Sequence, residues 1–209
     1  MKAKANACGS CRHTSSIQKE HVCVTDLNAL TALGAAHPRS VSFAALDIRE
    51  NPELALASLS LRRGSAKPVP FGLHLPEPGH WVAGQGMAAF WVGLDQWMIE
   101  AEGRAEENFA AHLRHAAPDC SVTEQTDGWI AFEIVSRSGT ALLESLLSKL
   151  VNIDLADFGP GRATRTGLEH MSCCVIRRSE TLVALLGARS FAASLWHALD
   201  TAARRLQEK

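Results

Sequence analysis

Two cysteines three positions apart, Cys8 and Cys11, followed by His13, His21 and Cys23, are the most suggestive grouping of metal-ligating side chains in the sequence. Cys8, Cys11, His21 and Cys23 supply the four thiolate and imidazole ligands that a tetrahedral zinc site requires. Structural zinc sites usually hang on two ligand pairs held by knuckles or hairpins, and no such frame is readable around these residues. The competing reading is an arm carrying free thiols. A redox role for the Cys-x-x-Cys pair would need a βαβ setting, which the surrounding pattern does not offer.

Other residues invite chemical readings that weaken when set in context. Gly84-Gln85-Gly86-Met87-Ala88-Ala89 fits the loose G-x-G-x-x-A form of a dinucleotide fingerprint, but strand-like Phe90-Trp91-Val92 follows where a helix should begin. An ordinary glycine turn is the expectation. His112 and His115 are three apart on a predicted helix, flanking its apolar stripe, and read as surface histidines. Cys173 and Cys174 are neighbours on a predicted strand, so they point to opposite faces and read as small buried hydrophobes. Arg162, Arg165, Thr166 and His170 are a polar group within an apolar β region, either outward strand residues or an anion or partner contact. Trp91, Trp97, Trp129 and Trp196 read as core and interface anchors rather than cofactor stackers. No G-x-S-x-G, Walker A loop or H-E-x-x-H occurs, so residue by residue the chain shows no catalytic constellation.

Composition narrows the field further. The 209 residues are 46% hydrophobic and 21% charged, which is ordinary globular material with enough apolar side chains for a core. Lys+Arg 21 against Asp+Glu 22 leaves a formal charge of -1, without the basic footprint of a nucleic-acid or anionic-membrane binder. Five Trp and seven Phe accompany no Tyr, so no phenol is available as acid or nucleophile. No run approaches the ~18 apolar residues of a transmembrane helix, and Cys8–Gln18 is polar where a signal peptide would place its apolar stretch. Six unevenly spread cysteines do not make a disulfide framework, and the expectation is a soluble protein of a reducing compartment, most simply the cytoplasm.

The elements that must position these residues follow from periodicity. Residues 1–50, rich in Ser, Thr, Ala and His, read as an arm with little regular structure, and residues 51–209 as one α+β domain. Strands are expected at Leu56–Arg62, Ala88–Gly93 and Gln96–Ala101, and a helix at Glu106–Ala116, ended by Pro118. Asp127-Gly128 between Ser121–Thr126 and Trp129–Val135 predicts a two-residue hairpin. Thr140–Leu150 carries leucines at helical spacing; Ala163–Arg177 reads as two strands or one bent one, and Leu182–Leu186 as another. Ser190 is placed as the cap of a last helix bearing Phe191, Leu195, Leu199, Ala202 and Leu206. This succession predicts helices packed on one face of mostly antiparallel sheet.

Four stretches, in order, resemble the gamma subunit of heterotetrameric sarcosine oxidase. They are Leu56-Ala57-Ser58-Leu59-Ser60-Leu61-Arg62; Trp91-Val92-Gly93-Leu94-Asp95-Gln96-Trp97; Asp127-Gly128-Trp129 with Arg165-Thr166 and His170; and Arg189-Ser190-Phe191-Ala192-Ala193-Ser194-Leu195-Trp196-His197. The last is the most specific, and the second departs from the family pattern in having Gln96 where Glu is usual. The resemblance spans about residues 56–206 and leaves the Cys8/Cys11 cluster outside it.

The resemblance implies a shortened form of the aminomethyltransferase fold, the folate-binding T-protein family of glycine cleavage. It also implies a chain without a cofactor or catalytic residue of its own, assembled with alpha, beta and delta subunits. Those partners hold NAD and the folate domain, FAD with covalent FMN, and zinc. The assembly oxidises sarcosine to glycine, makes hydrogen peroxide and passes the one-carbon unit to tetrahydrofolate. On this reading Trp91, Trp97, Arg162, Arg165, His170 and Trp196 are the candidate partner contacts. Three other readings stand beside it. They are the equivalent subunit of N-methylglutamate dehydrogenase, a free-standing folate- or one-carbon-binding protein, and a zinc-dependent interaction module built on Cys8, Cys11, His21 and Cys23.

Overall fold

A computed structural model describes residues 29–207. The expected Cys8, Cys11, His21 and Cys23 metal cluster lies outside the described residues.

The period-2 patterns sort apolar side chains to the faces of two antiparallel sheets. The larger sheet contains β1 (Ser40–Phe43), β2 (Leu46–Glu50), β8 (Trp129–Ser136), β9 (Arg162–Leu168), β10 (Met171–Arg177) and β11 (Leu182–Ala188), in the order β1-β2-β8-β11-β10-β9. The smaller contains β3 (Ala55–Leu61), β4 (Trp81–Gly84), β5 (Met87–Gly93), β6 (Gln96–Ala101) and β7 (Cys120–Glu124), in the order β4-β5-β6-β3-β7. Along β8, Ile130, Phe132 and Ile134 join the core under helices α2 (Thr140–Leu150) and α3 (Ala192–Gln207). Ala131, between them, joins a second core with Cys174, Ile176, Ala184 and Leu186, and the same core takes Leu56, Phe90 and Met98 from the smaller sheet. On the opposite face of that sheet, Ala57, Leu59, Trp97 and Ile99 pack with Phe109 and Leu113 of α1 (Phe109–Ala116). The fold is α+β, layered helix–sheet–sheet–helix, with the helices of each sheet on one of its faces. Each large apolar side chain so buried contributes about 1.5–3 kcal/mol relative to exposure.

The helices begin and end where local chemistry dictates. Asn108 Oδ1 accepts the Ala111 N–H at 3.0 Å, and Glu124 of β7 accepts the Ala110 N–H at 2.8 Å, so two first-turn donors of α1 are satisfied from outside the helix. The expected start at Glu106 is therefore three residues early. Helix α2 matches its expected range, with Leu143, Leu146 and Leu147 buried. Ser190 does not cap α3: it lies inside a 3-10 turn, Arg189–Phe191, that leads into the helix.

Three expectations are corrected. Residues 40–50 are not part of an unstructured arm: β1 and β2 form a hairpin, and β2 pairs with β8 from Leu46↔Ser136 to Glu50↔Phe132. Phe43, Leu46 and Ile48 are buried in the core beneath α2 and α3, so the domain extends N-terminal of residue 51. Asp127-Gly128 does not turn a hairpin: β7 pairs with β3 and β8 with β2 and β11, in different sheets, and Thr126–Gly128 is a 3-10 turn that carries the chain across. Trp81–Gly84, outside every expected strand, forms edge strand β4. Gly84-Gln85-Gly86 is the expected glycine turn: Gln85 and Gly86 have φ of 53° and 77° and join β4 to β5 as a two-residue hairpin.

Two features carry predictions. Gly187 of β11 lies under α3, and a Cβ there would sit 2.4 Å from Leu195 Cδ1. Because Leu195 is fully buried, Gly187→Ala should destabilise by about 1–3 kcal/mol in urea unfolding. Combined with Leu195→Ala, it should cost less than the two single changes added together. The β9–β10 hairpin turns on Glu169 and His170, at φ 44° and 71°, where glycine or asparagine is the usual choice. Each left-handed residue with a Cβ costs roughly 1–2 kcal/mol. Glu169→Asn with His170→Gly should raise the urea midpoint without changing the slope.

Candidate subunit interface

Among the described residues, the largest concentration of buried charge joins the two sheets. Glu100 of β6 and Glu133 of β8 face each other across the inter-sheet layer, with Arg178, just beyond β10, between them. Arg178 donates to Glu100 Oε2 at 2.8 Å and to Glu133 Oε1 at 2.9 Å. Arg49 donates through Nε to Glu133 Oε2 at 2.8 Å, and Asn51 Nδ2 reaches Glu133 Oε1 at 3.0 Å. Burial raises the Glu100 pKa, and Arg178 only partly opposes it. Burial also works against the charge on Glu133, but the hydrogen bonds from Arg49 and Asn51 and the charges of Arg178 and Arg49 overcome it and lower its pKa. The cluster borders an open cleft of about 610 Å³ that also touches Trp81, Met87 and Leu54. Cys173 and Cys174 lie elsewhere, buried on opposite faces of β10 as expected, with thiols pushed by burial up to about 11 and about 12. Such thiols are protonated at neutral pH and are not nucleophiles. Around the cleft Glu100 and Glu133 pair with Arg178 and Arg49, and Glu102 accepts from Asn51, so the arrangement is a clamp between the two sheets.

Among the described residues, no three His, Cys, Asp or Glu side chains come together as a metal site. His112 and His115 are exposed, and His112 belongs to a surface cluster with Arg104 and Glu107.

The candidate partner contacts fall in three places. Trp97 and Trp196, read above as core and interface anchors, are core residues: both are buried in the chain's own cores. Trp97 is 4% exposed and its indole N–H donates to Pro76 O at 2.8 Å. Trp196 is 8% exposed, with its ring 5.5 Å from that of Phe132. Their helical and strand spacing was core spacing, and nothing in the sequence separated a tryptophan that anchors a core from one that anchors an interface. Trp91, Arg162 and Arg165 come together instead at one corner of the molecule. Here β9, the outer strand of the larger sheet, meets the smaller sheet through Trp81 N–H to Gly161 O at 2.7 Å and Ala163 N–H to Gly79 O at 3.0 Å. A small pocket at this corner, about 180 Å³, is lined by Trp91, Val92, Ala163 and Arg165. Arg162 approaches His80 Nε2 at 2.9 Å and Arg165 donates to Ser172 Oγ at 2.8 Å, and among the described residues neither is paired with a carboxylate. His170 is exposed at the far end of β9, in the strained turn. Leu94, 85% exposed at the tip of the β5–β6 hairpin, is an apolar surface residue that the sequence reading did not single out.

The stacked antiparallel sheets with outer helices define an aminomethyltransferase-like fold, and the comparison with solved structures gives its particular relatives. A chain of the heterotetrameric sarcosine oxidase from Corynebacterium sp. U-96, solved with pyrrole 2-carboxylate, superposes with a TM-score of 0.67 at 22% identity, over 80% of this chain and 88% of that one. The glycine cleavage system aminomethyltransferase T from Bartonella henselae superposes with a TM-score of 0.52 at 13% identity. That match covers 75% of this chain but 46% of the aminomethyltransferase, so the present fold is a shortened version of it. No protein-family model matches the chain, and no curated protein matches it by sequence.

Proposed function

We propose that this chain is a non-catalytic structural subunit of a heterotetrameric sarcosine oxidase, the counterpart of its gamma subunit. The observation that carries this reading is the near end-to-end likeness to a chain of such an enzyme, 80% of one and 88% of the other, where the likeness to the aminomethyltransferase covers only half of the larger protein. The resembling sequence stretches support it from a second side. They fall on β3, on the β5–β6 hairpin, on the crossover between the sheets with β9, and on the start of α3, which are the elements that build both sheets and their junction. In this role the chain works in the cytoplasm with alpha, beta and delta partners. They supply NAD, FAD, FMN, tetrahydrofolate binding and zinc, and the assembly demethylates sarcosine to glycine with formation of hydrogen peroxide and 5,10-methylenetetrahydrofolate.

Co-expression with the large subunits tests the assignment. The expected result is a yellow complex containing this chain, with sarcosine-dependent peroxide formation. A chain that stays monomeric beside those subunits overturns it. Turnover of N-methylglutamate in place of sarcosine would assign the chain to N-methylglutamate dehydrogenase. Saturable tetrahydrofolate binding by the isolated chain would favour a free-standing folate-binding protein.

A further inference from the structure

The geometry points to a mode of assembly: the outer edge of β9 accepts an extended segment of another polypeptide as an added strand, with an acidic residue facing Arg165. This deepens the subunit reading by naming how a partner is held.

The argument begins with backbone parity. Glu169-His170 is a two-residue hairpin closed by the Leu168↔Met171 pair, so Leu168, Thr166 and Thr164 turn their N–H and C=O groups inward to β10. Ala163, Arg165 and Gly167 turn theirs outward, as the bond from Ala163 N–H to Gly79 O shows. That bond occupies one outward group at the start of the strand. Beyond it, among the described residues, the Ala163 carbonyl and both backbone groups of Arg165 and Gly167 form an open ladder. At seven residues β9 is also the longest of the four edge strands, against four in β1 and β4 and five in β7. It has neither the proline nor the bulge with which proteins usually blunt such an edge.

The side chains choose the occupant. Arg165 sits at the centre of the free edge and has no carboxylate partner among the described residues, while Arg162, three positions away on the other face of the strand, is turned to His80. A second copy pairing about a two-fold axis at Arg165 would set two guanidinium groups against each other, which cross-strand pairing disfavours. A different chain with Glu or Asp opposite Arg165 makes a favourable pair. Its residue two positions away points to the same face, where the pocket of about 180 Å³ beside Trp91 and Val92 can take an apolar side chain.

The probe is a blocked pentapeptide, Val-Thr-Glu-Thr-Val, compared with its lysine twin, Val-Thr-Lys-Thr-Val, on the full chain by amide NMR. The glutamate peptide should shift the Arg165 and Gly167 amide resonances saturably. It should bind roughly fivefold or more tightly than the lysine peptide. Arg165→Glu should reverse that preference. Gly167→Pro, which removes an outward N–H but no ladder bond, should abolish binding while the unfolding midpoint stays in place. Equal binding of the two peptides, shifts confined to other amides, or unchanged binding by Gly167→Pro would overturn the proposal. Concentration-dependent shifts of these amides without peptide would assign the edge to a second copy instead. These readouts do not involve the oxidase subunits, so a failed co-expression and a failed peptide titration are separate results.

Discussion

Arg178→Ala should cost about 3–5 kcal/mol of folding free energy, the range for a buried ion pair that loses one partner. Arg178 is 12% exposed, and its two carboxylate partners, Glu100 and Glu133, are 3% and 4% exposed. Without the guanidinium, Glu100 keeps no strong counter-charge, while Glu133 retains Arg49 and Asn51. The loss therefore falls mainly on Glu100, and Glu100→Gln in the Arg178→Ala background should restore part of it. Urea unfolding of the two single variants and the double variant measures this coupling. An additive double variant would mean that the two side chains do not act as a clamp.

The same pair predicts opposing pH dependences. Glu100 has a folded pKa above its ordinary 4.5, so its contribution is fully present below 4.5 and is lost as pH rises through the raised value. Glu133 has a folded pKa below 4.5, so its contribution is present above 4.5 and is lost as pH falls through the lowered value. Glu100→Gln should flatten the stability profile above pH 4.5, and Glu133→Gln should flatten it below. Half-buried Asp47 and exposed Glu107, held low by hydrogen bonds from Ser42 and Arg104, belong to the second class and add to the acid limb.

How much of this was legible in the residues depended on whether the deciding contact was local. The leucines of Thr140–Leu150 and the apolar residues of α3 carry their period within one element, and the helices lie where that period puts them. Asp127-Gly128 has the right chemistry for a hairpin turn, but β7 is claimed by β3 and β8 by β2 and β11. A pairing choice made by distant strands, β2 and β3 upstream and β11 downstream, leaves no mark on the turn itself. Ser40–Glu50 was missed because its strands are short and polar on one side, and they become strands by closing the edge of β8. The clamp was invisible for the same reason. Glu100, Glu133 and Arg178 are far apart in sequence, and each alone resembles an outward strand residue. The fold class needed only the succession of elements, whereas the polar interior and the surface corner of Trp91, Arg162 and Arg165 needed the register.

The tryptophans make the sharpest separation between folding and assembly. Trp196→Ala removes a ring packed at 5.5 Å against Phe132 and covered by the Arg39 guanidinium at 5.5 Å. Trp97→Ala removes a ring held by its bond to Pro76 O and covered by Lys67 at 5.2 Å. Either change should cost about 3–5 kcal/mol in the isolated chain, the usual cost of truncating a large buried aromatic. For a chain of this size that should lower the thermal midpoint by roughly 6–20 °C. Trp91 is only half-buried, at the corner beside the β9 edge, and Trp91→Ala should cost the isolated chain roughly 1 kcal/mol. If that corner is where a partner strand docks, the order reverses for association. Trp91→Ala should then weaken complex formation by about 2 kcal/mol or more, the scale of an aromatic hot spot. Trp97→Ala and Trp196→Ala should leave the affinity of the remaining folded protein nearly unchanged. Thermal unfolding of the free chains and affinity measured at a temperature where all three are folded give the two orders independently. A Trp91→Ala chain that assembles normally would place the partner elsewhere on the molecule, while a Trp196→Ala chain with an unshifted midpoint would contradict its burial.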